Sequence, residues 1–202
     1  MPEVLVPAPR VPRWVANFGE RHGGASLTAA DGALRGAAGD GSWFVARLPF
    51  GTAYDGPAAA EPFAASVLPP ENWGVLLVRK GGFAVARLAG ERLVDSKVGQ
   101  RHVQGRTKAG GQSQQRFARR RANQARQAYE AAADHAARIL AGLRGPLVTG
   151  GDRAALAEVL EDPRLAGLVA EQRWLAVPDP RRAVLEAAMA DALAVVIEVE
   201  NA

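Results

Sequence analysis

The chain has 202 residues, no Cys, 48% hydrophobic and 23% charged residues, and a net charge of +4. That composition fits one globular domain, or one with a small companion, and excludes a disulfide framework, a thiol nucleophile and a thiolate metal site. Three scattered His (His22, His102, His135) argue against an all-His catalytic metal, and no apolar run nears the ~18 residues of a membrane span, so a cytoplasmic protein is expected. In chain order, Arg13–Arg21 reads as a short helix ended by Gly23-Gly24. Ala25–Ala29 and Gly41–Leu48 read as strands, with turns at Asp31-Gly32 and at 39–41. Residues 49–70 hold five Pro and read as a connector, which sets off a small α+β segment, 1–68, from a main domain, 69–202.

After the connector the pattern sharpens. Trp73–Val78 and Phe83–Leu88 are apolar runs on either side of a Lys80-Gly81-Gly82 turn, and Arg92–Ser96 is a third run, which predicts a three-stranded meander. Gly99–Gly111 has no apolar periodicity and reads as a long polar loop of the functional kind. From Ser113 to Leu143 the spacing turns helical. Ala118, Ala122, Ala125, Tyr129, Ala132, Ala136, Ile139 and Leu143 recur at steps of three and four and mark one buried stripe. Ser113 is the expected N-cap and Gly145-Pro146 the stop. Next come a strand at Pro146–Thr149, a helix from Arg153 to Leu160 and a second helix opened by Asp162-Pro163. A strand near Trp174–Val177 follows, and then a C-terminal helix capped by Asp179 with Pro180 in its first turn. Strands alternating with helices after an antiparallel meander predict an α/β domain with a mixed β-sheet and flanking helices.

The placement of cations says more than the net charge. Lys97, Arg101, Arg106, Lys108, Arg116, Arg119, Arg120, Arg121 and Arg126 stand between positions 97 and 126 with no Asp or Glu among them, and the rest of the chain has 16 cations against 21 anions. Solvated helix faces ordinarily alternate sign. Thirty residues of one sign on a mildly acidic body are the footprint of a protein that docks on a polyanion, most often nucleic acid.

No P-loop, nucleophile elbow, HExxH or CxxC signature occurs. What stands out is Gly110-Gly111-Gln112, directly before the basic helix. Paired glycines let a main chain enter a narrow pocket with no side chain in the way. Gln112 adds a backbone N–H and an uncharged amide that both donates and accepts, groups able to place a water beside an ester carbonyl or hold an oxyanion. Taken alone, the tripeptide is equally a flexible turn before a helix.

The residues that follow tip the balance. Gly110–Arg121 reads GGQSQQRFARRR and closely resembles the GGQ loop and following helix of the eukaryotic and archaeal class I translation termination factors, where GGQS is followed two residues later by RFAR and a further Arg. Gly110, Gly111, Gln112, Ser113, Arg116, Phe117, Ala118, Arg119 and Arg121 match position by position. More loosely, the order of meander, polar loop, long helix and LVTGGDRAALAEVL at 147–160 is similar across about residues 70–200. The length leaves no room for a stop-codon-reading or GTPase-recruiting domain. The chain therefore looks closest to the stand-alone, Vms-like release-factor-type peptidyl-tRNA hydrolases of ribosome rescue. Eukaryotic members of that group usually carry their Gln slightly later in the loop, and Gln114 and Gln115 stand close by, but Gln112 completes the terminator pattern.

The resemblance implies a ribonuclease-H-like fold and hydrolysis of the ester joining a nascent peptide to the terminal adenosine of tRNA. The reaction would take place at the catalytic centre of the large ribosomal subunit, independent of the codon and without cofactor or metal. Gly110 and Gly111 would let the tip reach the ester, and Gln112 would orient water. Lys97, Arg101, Arg106, Lys108, Arg116, Arg119, Arg120 and Arg121 would grip phosphates. The implied partners are large-subunit rRNA and peptidyl-tRNA, not DNA or membrane, and a monomer is expected.

Two other readings use the same features: a noncatalytic ribosome-binding factor, and a nuclease cutting tRNA near its 3′ end. Among individual residues, His102 reads as a solvated loop side chain and Phe117 as a helix anchor. Trp14, Trp43, Trp73 and Trp174 read as core, and Asp152 as an N-cap rather than a metal ligand.

Overall fold

The computed structural model describes the backbone of residues 2–100 and 112–202, and the side chains of residues 2–99 and 125–202. Along the chain run β1 (Glu3–Val6), α1 (Val11–Arg21), β2 (Ala25–Ala30), β3 (Ala33–Ala38), β4 (Trp43–Arg47) and α2 (Ala60–Ala65). There follow β5 (Trp73–Arg79), β6 (Gly82–Ala89), β7 (Arg92–Gln100), α3 (Gln112–Ile139), β8 (Pro146–Gly151), α4 (Arg153–Leu160), β9 (Val169–Leu175), α5 (Arg182–Ala192) and β10 (Val195–Glu200). They divide into two units: Met1–Pro69 with Met189–Ala202, and Pro70–Ala188. The result is mixed α/β, with two sheets and flanking helices.

The first unit is built on an antiparallel sheet in the order β1-β10-β4-β3-β2. β10 corrects the sequence reading, which ends the chain in a helix. The run Val195-Val196-Ile197 is β-branched, which costs χ1 freedom in a helix and suits a pleated surface. The strand alternates, with Val195 and Ile197 fully buried, and it lies between β1 and β4. The first unit therefore takes a central strand from the far end of the chain.

β1 and β3 are also new. β3, ALRGAA, carries little strand propensity and a glycine. The structure gives that glycine a reason. Gly36 pairs in register with Phe44, and a Cβ on Gly36 would sit 2.1 Å from Phe44 Cε1. The fully buried Phe44 meets Trp14 and Phe18 edge-on, each at 5.1 Å. Val11 and Val15 of α1, Phe63 of α2 and Leu34 of β3 complete this core. α2 interrupts the stretch read as a bare connector.

The second unit has the strand order β7-β6-β5-β8-β9, with β5, β6 and β7 antiparallel and β8 and β9 parallel to β5 and to each other. A meander continued by parallel strands on the side of its first strand is the ribonuclease-H-like arrangement that the resemblance implies. β5 is buried along both faces, Trp73, Val75 and Leu77 alternating with Leu76 and Val78, as its central place requires. On one face, Leu76, Val78, Phe83 and Val85 pack with Tyr129, Ala132, Ala136 and Ile139 of α3 and with Leu156 and Val159 of α4. Each fully buried aliphatic side chain of this set contributes about 1.5–3 kcal/mol.

Some boundaries move. α3 starts at Gln112, one residue before the expected cap Ser113, and ends at Ile139, with Leu143 buried just beyond it. Asp162 opens only a single 3₁₀ turn at Pro163–Leu165. α5 begins at Arg182, past the expected Asp179-Pro180 start. Asp152 is the N-cap of α4, its carboxylate accepting from the N–H groups of Ala154 and Ala155 at 3.0 and 3.1 Å.

Candidate functional site

β7 and α3 bracket the polar loop. Of the expected site residues, Gly110, Gly111, Arg101, Arg106 and Lys108 lie outside the described residues, as does His102. Gln112 is the first residue of α3, and Arg116, Arg119, Arg120 and Arg121 follow on the same helix. Lys97 is exposed on β7, paired in register with Val85. One helix thus carries the candidate amide and four of the candidate phosphate-binding cations.

The helix has 28 residues, a rod of about 42 Å. The first four N–H groups of a helix have no acceptor within it, and their aligned dipoles make that end equivalent to about half a positive charge. The first turn of α3 contains no acidic residue to offset that charge.

The C-terminal half of α3 is anchored from three sides. Arg138 Nη1 donates to Asp95 Oδ2 of β7 at 2.9 Å, and Arg87 Nη1 of β6 donates to the Ala141 carbonyl just past the helix at 2.6 Å. Arg164 Nη2 donates to Asp134 Oδ1 at 2.6 Å and to Asp162 Oδ2 at 2.7 Å. The Arg164 side chain, followed by its backbone N–H, holds the Asp162 carboxyl down at about 2, and Asp162 and then Asp134 push the Arg164 guanidinium up. Exposed pairs of this kind are worth little singly. Together they tie the end of α3, from Asp134 to Ala141, to β6, β7 and the 3₁₀ turn at Pro163–Leu165.

Between α3 and the ends of β6 and β7 lies a groove of about 510 Å³ lined by Phe83, Lys97, Gly99, Gln127, Asp134 and His135. The His135 ring stacks on Phe83, with centroids 5.5 Å apart and planes 27° apart. The sequence reading misses this groove, because its residues come from three elements and share no motif. Tyr129, buried in the core beneath α3, has its phenol pKa pushed up by burial, and Asp152 and Glu158 add to the effect.

The four Trp differ in kind. Trp73 is fully buried, its Nε1 donating to the Gly90 carbonyl at 2.9 Å. Trp14, Trp43 and Trp174 are half-buried, and Arg153 lies over the Trp174 ring at 4.5 Å. Among the described residues, no helix is long and apolar enough to cross a membrane, and no group of three or more His, Asp or Glu is arranged to hold a metal.

A mixed α/β arrangement with two sheets and flanking helices is compatible with a release-factor-type domain. The chain belongs to the Actinobacteria/chloroflexi VLRF1 release factor family, whose sequence model matches residues 71–198, more than half of the chain. No curated protein matches it.

Proposed function

We propose that the protein is a peptidyl-tRNA hydrolase of ribosome rescue, which frees nascent peptides from stalled large subunits independently of the codon. One observation carries the reading: in a chain of the VLRF1 release factor family, Gln112 of the Gly-Gly-Gln triplet is the first residue of a long, cation-rich helix. Water adds to the peptidyl carbonyl carbon, the bond from that carbon to the ribose 3′ oxygen breaks, and the ribose hydroxyl regains a proton. The tetrahedral intermediate places negative charge on the former carbonyl oxygen. A helix N-terminus stabilises such a charge without reorganising. The backbone N–H and side-chain amide of Gln112 act there, one toward the oxyanion and the other toward water. Gly110 and Gly111 admit the main chain to the ester. Lys97, Arg101, Arg106, Lys108, Arg116, Arg119, Arg120 and Arg121 hold the surrounding rRNA and tRNA phosphates.

The test is a release assay on purified large subunits carrying a labelled peptidyl-tRNA. Added protein is expected to free the peptide and leave the tRNA 3′ end intact. A tRNA recovered shortened at its 3′ end would replace hydrolysis by nuclease action. Binding without release would make the protein a noncatalytic ribosome-binding factor.

A further inference from the structure

The first unit is acidic, with five Arg, no Lys and nine Asp or Glu. Its positive charge is nevertheless concentrated. Arg35 pairs with Asp31 at 2.8 Å and Arg47 with Glu198 at 3.9 Å. The remaining three, Arg10, Arg13 and Arg21, are exposed and make no ion pair among the described residues. Arg10 immediately precedes α1 and the other two lie on it, at steps that place them with Trp14 and Asn17 along one helix face.

That face borders two grooves. One, of about 470 Å³, is lined by Arg10, Arg13 and Pro7; the other, of about 240 Å³, by Arg21, His22 and Val199. Trp14 and Asn17 line both, so the indole stands where the grooves meet. Neither has a carboxylate among its described lining residues, although the unit holds nine. Trp14 is held in place by Phe18, parallel at 5.9 Å and 11°, and by Phe44 edge-on at 5.1 Å. This half-buried ring is therefore a rigid platform with one edge open to the grooves.

We infer that this face of α1 binds single-stranded RNA, with Trp14 stacking on an unpaired base and Arg10, Arg13 and Arg21 contacting the flanking phosphates. Three observations converge on that chemistry: guanidinium groups free to fork onto phosphate, an aromatic ring between two grooves lacking carboxylates, and an Asn amide able to both donate to and accept from a base edge. Duplex RNA hides its bases from a stacking side chain, and unpaired nucleotides expose them. The surface lies outside residues 71–198, so it is an addition to the family's matched region rather than part of it. It stands whether or not Gln112 is catalytic.

The experiment uses the full chain and a 4-thiouridine-substituted oligouridine of about 12 nucleotides, within the size range of a single-strand site. Irradiation followed by tryptic mapping is expected to place adducts on the peptide Trp14–Arg21. Adducts confined to the 97–126 region would overturn the inference. Affinity is read in an Arg119→Glu/Arg120→Glu background, which weakens the other RNA-binding surface. There, Arg10→Gln/Arg13→Gln/Arg21→Gln should lower the slope of log K against log salt by about 2. Trp14→Ala should weaken binding at least about fivefold, and Trp14→Phe should restore most of it. Unchanged affinity and slope in the triple variant would also overturn it. Peptide release by the triple variant at saturating protein separates this result from any failure of the hydrolase reading.

Discussion

Gly99 and Phe83 face each other across β7 and β6 so closely that a Cβ on Gly99 would lie 2.3 Å from Phe83 Cε1. The same arrangement, an aromatic ring over a cross-strand glycine, recurs in the other sheet at Gly36 and Phe44. In the second unit it has a consequence for the helix, because the Phe83 ring that fills the space above Gly99 also stacks on His135 of α3. The glycine before the polar loop thus helps set how that helix lies on its sheet.

Gly99→Ala should therefore act at a distance from its own position. Phe83 is buried and must shift to admit a methyl group, an overpacking cost of about 1–3 kcal/mol. Thermal unfolding should report that loss, and the ring protons of His135 should change chemical shift. An unperturbed His135 spectrum would show that the stack does not depend on Gly99.

Gly145 is a stricter case. A Cβ there would lie 1.6 Å from the Asn72 carbonyl oxygen, a main-chain atom that no rotamer change can move aside. Gly145→Ala should cost more than about 3 kcal/mol, visible as a Tm drop of roughly 6 °C or more. A drop under 2 °C would mean that the close passage of the two backbones is easily relaxed.

The pair Asp162–Arg164 makes stability depend on pH at the acid end. The folded carboxyl of Asp162 is held at about 2, below its ordinary 3.8. Its contribution is present above about 3.8 and is lost as pH falls toward 2. Asp162→Asn should flatten the fall in stability between pH 4 and pH 2 relative to the parent chain, measured by denaturant unfolding at each pH. Identical pH profiles would remove the pair from the ledger.

Charge reversal at Arg119 and Arg120 tests the docking half of the proposal. Two lost phosphate contacts should reduce the slope of log K against log salt for ribosome binding by about 1.8. An unchanged slope would show that these side chains do not meet phosphate.

How much of this was legible in the sequence follows from the physics of each element. The β5–β6–β7 meander, α3 and α4 are local patterns: apolar runs around a glycine turn, a stripe at helical spacing, and Asp152 before a helix. Each was readable because neighbours in sequence decide it. β10 was not, because its partners β1 and β4 lie more than 140 residues away, and its Ala-rich approach continues the helical pattern of α5. β3 was hidden by Gly36, whose role is visible only with Phe44 opposite. Gly145 reads in sequence as the stop of α3, whereas the helix ends at Ile139, and the close approach of Gly145 to Asn72 had no signal in the sequence. At the candidate site, the triplet and the cation run stood out as sequence. The α3 anchors Arg87, Arg138 and Arg164 did not, since their partners come from three different elements.

The most direct test separates binding from chemistry at one residue. Gln112→Ala should be compared with the parent chain on stalled large subunits, with peptide release and subunit affinity measured on the same preparation. The proposal predicts that release falls by at least about 100-fold, the scale of losing an oxyanion or water-positioning group, while affinity stays within about threefold, because the arginines of α3 are untouched. Release at the parent rate by the Gln112→Ala protein would contradict it.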